Sequence, residues 1–459
     1  MTRTLGGRWL AMPLVALALL AACGGGRDDD DGDAATGAGA DGASDTDAAG
    51  GVVDPADCDS YDAAPGVTDT EIKLGSSFPQ SGTAAAFAEI SSGYRAYFEY
   101  VNAEEDGIDG RRITLVTKDD GYEANRTQSN VDALVQEDGV FALFNVIGTP
   151  NNLAFYDDTD DQCVPNLFVG TGSPFWGDQE GHPWTIGSIP SYATEAAVFA
   201  DYLTERTDAT TVAILQQNDD FGNAYTEAFE KAIEGSDLDV VEVQTYESDA
   251  PDVTSQVTSL ADTDADAFLG ATTGLKCPAT FNAIASSGWD PIAYVSATCT
   301  SPRLIGLAEA GATDGIISTS YLKDPLDPQW DEDEAMQLYK EKVAEYGPDG
   351  TDVTDTLVGY GWTMGALVEH ALREATELTR EAVMESAHDL QEVEVGLVLP
   401  GIAFNTSPEG DSFVVEKLQA IQYNGEKKLF DLLGGDGEVL PPGETAILDY
   451  EGKTADVAG

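Results

Sequence analysis

Positive charge is scarce in this chain of 459 residues: Lys and Arg number 22 against 83 Asp and Glu, a formal net charge of −61. A surface of that sign repels phosphate backbones and anionic membranes, which excludes nucleic-acid binding as a role. Histidine is also rare. His182, His370 and His388 stand far apart in the chain and read as surface or capping residues rather than metal ligands. Catalytic signatures are missing too. No Gly-x-Ser-x-Gly elbow occurs, GSSFPQSGT (75–83) lacks the lysine of a phosphate loop, and no Gly-x-Gly-x-x-Gly opens a helix after a strand. The acidic run 27–33 makes no calcium loop, since Arg27 would hold its first ligand position and no glutamate closes it. Carboxylates are so abundant that pairs of them carry no information. Nothing here argues for catalysis, and no cofactor or metal is expected.

Beyond residue 22 no apolar run approaches the length of a membrane span. The start of the chain is different. Arg3 and Arg8 precede an apolar stretch, Leu10 to Ala22, interrupted only by Pro13, and the segment closes on Leu20-Ala21-Ala22-Cys23. That is a signal peptide (1–22) whose cleavage site is similar to a bacterial lipobox, so Cys23 is expected to carry lipid at the mature N-terminus. An ordinary secretory signal with a coincidental cysteine is the alternative. Residues 23–66 are small and acidic and are expected to be a disordered tether. The globular part would therefore work as a monomer at the extracytoplasmic face of the cell membrane.

Four cysteines remain in an oxidising compartment: Cys58, Cys163, Cys277 and Cys299. Cys277 and Cys299 fall in successive strand-to-helix loops of one half of the chain, and Cys58 and Cys163 both belong to the other half. The expected disulfides are Cys58–Cys163 and Cys277–Cys299; a zinc site is the rival, with long spacings and no histidine nearby in sequence.

From residue 70 onward, near-continuous apolar strands alternate with helical patterns. IKLGSSF (72–78), RITLVTKD (112–119), FALFNV (141–146) and PNLFVG (165–170) form one series; TTVAILQQ (210–217), VVEVQTY (240–246), AFLGAT (267–272), IAYVSA (292–297) and GIISTSY (315–321) form a second. A long helical region (331–390) and the strand-like VGLVLPGIAF and FVVEKLQAIQY follow. Such alternation predicts an α/β fold of two doubly wound parallel-sheet lobes joined by a multi-strand hinge. The expected division is 67–190 plus 322–408 for lobe 1, 191–321 plus 409–435 for lobe 2, and an acidic tail over 436–459. In such sheets ligands meet the loops leaving the carboxyl ends of strands. The six loops to inspect are 76–87, 145–152, 169–176, 216–223, 271–277 and 296–302, all rich in Gly, Ser, Thr, Pro, Asn or aromatics.

In order and spacing, TDTEIKLGSSFPQSG, KDDGYEANRTQSNVDALV, GTPNNLAF, VPNLFVGTG, HPWTIGSIPSYATEAAVFADYL, VAILQQNDDFGNAY and the Gly288-Trp289 pair before IAYVSATCT carry a family likeness. The chain from about residue 68 resembles the branched-chain amino-acid-type substrate-binding proteins of ABC importers, with the type I periplasmic-binding fold. The resemblance implies a small-molecule solute held between two lobes and delivered to membrane permease subunits. Gly148 and Thr149 would form its carboxylate-binding loop, and Thr171, Gly172 and Ser173 its second contact loop in lobe 1. Phe87 and Phe221 would be aromatic walls, with Thr272 and Thr273 on a further contact loop. The family's ammonium-binding acid should fall near Thr298 or Cys299, and neither is acidic. That departure argues against a free amino acid, because an unpaired buried ammonium is costly. Lys276, if directed inward, would favour a carboxylate or amide; a solvent-facing lysine is the alternative. The expected solute is accordingly a small amino acid, amide or organic acid. A ligand sensor feeding a signalling receptor is the alternative role.

The charge excess carries its own prediction. Like charges repel more in the compact state than in the expanded one, and the Debye length shrinks from about 10 Å at 0.1 M salt to about 3 Å at 1 M. Melting temperature should rise steeply over that range of NaCl. A flat profile would mean that the acidic surface is not an adaptation to salt.

Overall fold

The computed structural model describes residues 51–458; the expected signal peptide and Cys23 lie outside them. Five parallel strands build the first sheet: β1 Glu71–Phe78, β2 Arg112–Asp119, β3 Ala142–Phe144, β4 Asn166–Val169 and β5 Thr185–Gly187. Their order is β2-β1-β3-β4-β5. The second sheet contains β6 Thr211–Gln217, β7 Asp239–Tyr246, β8 Ala267–Ala271, β9 Ile292–Val295, β10 Ile317–Ser320, β11 Lys417–Asn424, β12 Leu429–Leu432 and β13 Ile447–Asp449. Its order is β12-β11-β10-β9-β8-β6-β7, with β13 against β11. β6 to β10 pair in parallel, whereas β11 runs antiparallel to β10, β12 and β13. The chain passes between the sheets three times: after β5, after β10 and ahead of β11.

Both sheets begin with the same winding, second strand, first, third, fourth, fifth. A sheet wound this way reverses direction between its first and third strands and leaves a crevice there. One crevice opens between β1 and β3, the other between β6 and β8. Central strands are buried on both faces, as in β8, AFLGA, where five residues in succession are inaccessible, while β2 and β7 at the sheet edges are partly exposed. This is the mark of parallel strands covered on both faces.

The helix Thr356–Glu374 lies against Ile90–Glu104 through paired glycines. A Cβ on Gly93 would stand 2.1 Å from the Val358 carbonyl oxygen, and one on Gly361 would stand 2.0 Å from that of Ile90. The backbones therefore touch, and Tyr97 packs edge-on against Trp362 beside the crossing (centroids 4.8 Å apart).

Three expectations need correction. Residues 51–66, assigned to the disordered tether, are packed on the first sheet's lobe. Val53 is buried, the Asp59 N–H donates to the Asp161 carbonyl (2.8 Å), the Arg380 N–H donates to the Ala63 carbonyl (2.7 Å), and Cys58 is bonded to Cys163. Low-complexity composition upstream concealed these few anchors. Residues 436–459, expected as an acidic tail, contain β13 and the helix Thr454–Ala458. The Gly452 and Thr454 N–H groups donate to the buried Glu416 carboxylate (2.9 and 3.2 Å), a long-range partner invisible to composition. VGLVLPGIAF makes no strand and only isolated bridges, Leu322 with Val398 and Val393 with Phe404, because Pro400 and Gly401 interrupt it.

The structure joins Cys58 to Cys163 and Cys277 to Cys299, across separations of 105 and 22 residues. A longer closed loop restrains the unfolded chain more, by about 5 kcal/mol for the first against about 3 for the second. Denaturation of Cys58→Ser/Cys163→Ser and Cys277→Ser/Cys299→Ser should show the larger loss in the former. The reverse order would contradict this origin of the stabilisation.

Candidate functional site

The two crevices face each other across a cleft that encloses about 180 Å³. Its rims touch. The Leu275 N–H donates to the Thr83 carbonyl (3.0 Å), and the Thr83 hydroxyl donates to the Ser248 carbonyl (3.4 Å). Arg303, beyond β9, reaches Glu89 at 2.9 Å and Asp355 at 3.4 Å on the opposite lobe. Asp355 is itself the N-cap of Thr356–Glu374, accepting from the Leu357 N–H at 3.0 Å.

Of the residues singled out from sequence, Phe87, Gly148, Phe221, Thr273 and Thr298 line the cavity. Gly148 has φ 101°, and a Cβ there would stand 2.7 Å from the Tyr122 ring, so glycine is needed for both conformation and space. Thr149, Thr171, Gly172, Ser173 and Thr272 are drawn into the supporting structure behind the lining. The hydroxyls of Thr149 and Thr171 bond each other (2.5 Å), and Thr171 also meets the Tyr192 hydroxyl at 3.2 Å. The Gly172 carbonyl accepts from the Tyr192 N–H (2.7 Å), while the Ser173 hydroxyl accepts from the Phe175 N–H (3.4 Å) and caps a short helical turn. Thr272 is fully buried beside the Cys277–Cys299 disulfide, which ties the loops carrying Thr273 and Thr298 together.

Sequence reasoning missed several lining residues. Tyr122, Tyr192 and Tyr360 also line the cavity. Tyr192 stacks on Tyr225 (centroids 4.9 Å apart) and meets Phe221 edge-on (5.0 Å), so the aromatic wall is a cluster. The largest omission is Glu195. It lies in the first turns of the helix Tyr192–Arg206, whose N-cap Ser191 accepts from the Ala193 N–H. It is 1 % exposed and lines the cavity. Its Oε2 accepts from the Ala297 N–H (3.0 Å) and from the Tyr294 hydroxyl (3.1 Å).

An acid thus stands beside the 297–299 loop after all, supplied by a different helix, and the argument against an ammonium-bearing solute falls. The signal was present: one glutamate inside YATEAAVFA, where every near neighbour is small or apolar. Burial pushes the Glu195 carboxyl up from 4.5 to about 7, against the Ala297 N–H and the Tyr225 and Tyr294 hydroxyls, which favour the ionised form.

Lys276 does not enter the cavity. Its ammonium donates to the Ser248 carbonyl at 3.3 Å, and burial lowers its pKa. Among the described residues Lys323 is the one basic residue of the lining, and it is paired with Asp333 at 2.8 Å. Asp324 and Asp327 line the same end, with burial raising Asp324 to about 6. The lining therefore offers acids without a free cation.

A model of the periplasmic binding proteins matches residues 71–427. The chain belongs to the periplasmic binding protein family. It is a solute-binding protein, not an enzyme. Among solved structures, a branched-chain amino acid ABC transporter from Thermus thermophilus with bound valine aligns at a TM-score of 0.69 and 17% identity, over 80% of this chain and 96% of that one. The branched-chain amino acid transporter substrate binding protein LivJ from Streptococcus pneumoniae, in complex with isoleucine, gives 0.64 and 18% over 83% and 100%. A fatty acid ABC transporter substrate-binding protein from Thermomonospora curvata gives 0.68 and 20% over 86% and 96%. At these identities the likeness is one of fold, the type I periplasmic-binding fold. No curated protein matches the chain. Among the described residues no helix is long and apolar enough to cross a membrane.

The buried carboxyl predicts how the binding protein's stability varies with pH in the absence of solute. Below pH 4.5 Glu195 is protonated in folded and unfolded chains alike and has no effect. Above 7 it is ionised in both, and the rise from 4.5 to about 7 destabilises the fold by about 3 kcal/mol. Glu195→Gln should remove a fall in stability between pH 4.5 and 7, measured as the difference from wild type in urea unfolding. Parallel pH profiles would show that the carboxyl is not buried as described.

Proposed function

We propose that this protein is the lipid-anchored capture component of an ABC importer of the branched-chain amino acid transporter type. Cys23 holds it to the extracytoplasmic face, and the loaded, closed form delivers its solute to the permease. The division into lobes 67–190 plus 322–408 and 191–321 plus 409–435 agrees with the three passages of chain between the sheets. The solute carries an ammonium or amide N–H group that meets Glu195. One observation carries this reading: a carboxylate 1 % exposed that lines the cavity beside the 297–299 loop, its Oε2 accepting from the Ala297 N–H and the Tyr294 hydroxyl. An organic acid is disfavoured, because the lining has no unpaired cation to receive it and three acids to repel it. Phe87, Gly148, Phe221, Thr273 and Thr298 contact the solute, while Thr149, Thr171, Gly172, Ser173 and Thr272 hold the loops that do so.

Calorimetry at pH 8 with amino acids, their amides and matching organic acids tests this. Amino acids or amides should bind, and Glu195→Gln should weaken them by about 100-fold or more, the loss expected when one partner of a buried charged pair is removed. Affinity should also fall as the pH drops through 7 and the carboxyl is protonated. Binding confined to organic acids, or unchanged in the variant, would overturn the assignment.

A further inference from the structure

The cavity does not stop at the crevice. On the second sheet its lining runs from Phe221 beyond β6, through Thr273 after β8 and Thr298 after β9, to Tyr321 at the end of β10. It continues past that point to Leu418 and Ile421 on β11 and to Phe430 and Leu432 on β12. Six strands, adjacent in the order β6-β8-β9-β10-β11-β12, contribute to the lining, and Ile421, Leu432 and Phe430 share one face of the sheet. At about 4.8 Å between neighbouring strands, the wall is about 24 Å long. From the 297–299 loop beside Glu195 to β12 is about three such spacings, or about 14 Å. At about 1.5 Å per C–C bond this corresponds to roughly ten bonds.

The two ends differ in chemistry. Around Glu195 the lining is hydroxyl and carboxylate. The β11–β12 end is made by leucine, isoleucine and phenylalanine that are all nearly inaccessible from outside. The volume is modest for such a length. About 180 Å³ is only slightly more than the roughly 150 Å³ that admits a single benzene ring. Drawn out from the crevice across the face of β11 and β12, it is a slot. An apolar slot left open forfeits packing and weakens the fold unless an occupant fills it.

We infer that the solute is an amphiphile whose cationic or amide head sits at Glu195 and whose unbranched apolar chain lies across the face of β11 and β12 that carries Ile421, Phe430 and Leu432. This rests on the proposed role of Glu195 for the head, while the slot rests on geometry alone. A short branched side chain would fill the crevice and leave the β11–β12 end void.

The test is calorimetry with straight-chain 2-amino acids from alanine to 2-aminododecanoate, with leucine and valine, and with the matching straight-chain alkanoates. Affinity in the amino series should rise about fourfold for each added CH₂ until the slot is full, exceeding that for leucine. In Leu432→Trp the tightest binder should be a shorter chain; Ile421→Phe provides a second block should the first variant fail to fold, as judged by circular dichroism. Tightest binding to leucine or valine with longer chains rejected, or affinity flat with length, would overturn the slot while leaving the Glu195 reading intact. A length dependence seen only among alkanoates would support the slot and overturn the head assignment. Binding by neither series would overturn both.

Discussion

Gly93 and Gly361 meet backbone to backbone, and the placement of the whole second half of lobe 1 depends on that contact. The helix Thr356–Glu374 can lie on Ile90–Glu104 only because neither glycine carries a Cβ. Once there, it sends Tyr360 to the cavity wall, where the hydroxyl accepts from Asn145 Nδ2 (2.7 Å) and pairs with the Ser188 hydroxyl (2.9 Å). Its N-cap, Asp355, becomes the lobe 1 terminus of the Arg303 bridge. One close helix crossing therefore sets a wall of the site, a contact that closes it, and the need for the chain to return across the hinge.

Charge is distributed with a bias that the net figure of −61 conceals. The few cations hold structural positions: Arg303 joins the lobes, Lys323 is committed to Asp333, and Lys342 to Glu104. Exposed ion pairs contribute little singly. Arg303 differs because its partner Asp355 is almost fully buried and lies on the other lobe, so the bridge joins the two lobes directly. With no free cation in its lining, the cavity has a sign. A cationic head would supply the charge that the protein withholds, and its arrival would compensate the burial of Glu195.

The Cys277–Cys299 disulfide within lobe 2 and the Thr149–Thr171–Tyr192 hydroxyl chain, which runs from lobe 1 into lobe 2, serve one purpose. Each makes the loop behind a cavity-lining residue stiff, so that less freedom is lost when a solute arrives. Thr149, Thr171 and Thr272 matter to the site without facing it. Residue type alone cannot separate a threonine that donates to a ligand from one that donates to a neighbouring loop, since both are buried hydroxyls on the same turn.

The strand and helix series, their division into two sheets and the disulfide partners were legible from sequence, because apolar periodicity and loop position are local properties. Local too were the loops at the carboxyl ends of β1, β3, β6, β8 and β9, which supplied Phe87, Gly148, Phe221, Thr273 and Thr298. Glu195 was not legible as part of the site. It lies outside those loops, and its approach to Ala297 needs the packing of one helix against the end of a different strand. The antiparallel return of β11, the docking of 51–66 and the strand in 436–459 likewise depend on partners more than a hundred, or at least some tens, of residues away, as Glu385 is for Val53 and Glu416 for Gly452. Sequence by itself determined which segments are strands, where they turn, and which of the turns line the cleft. Tertiary structure alone decided the sign and length of the cavity, because both arise from side chains brought together across the three passages of the hinge.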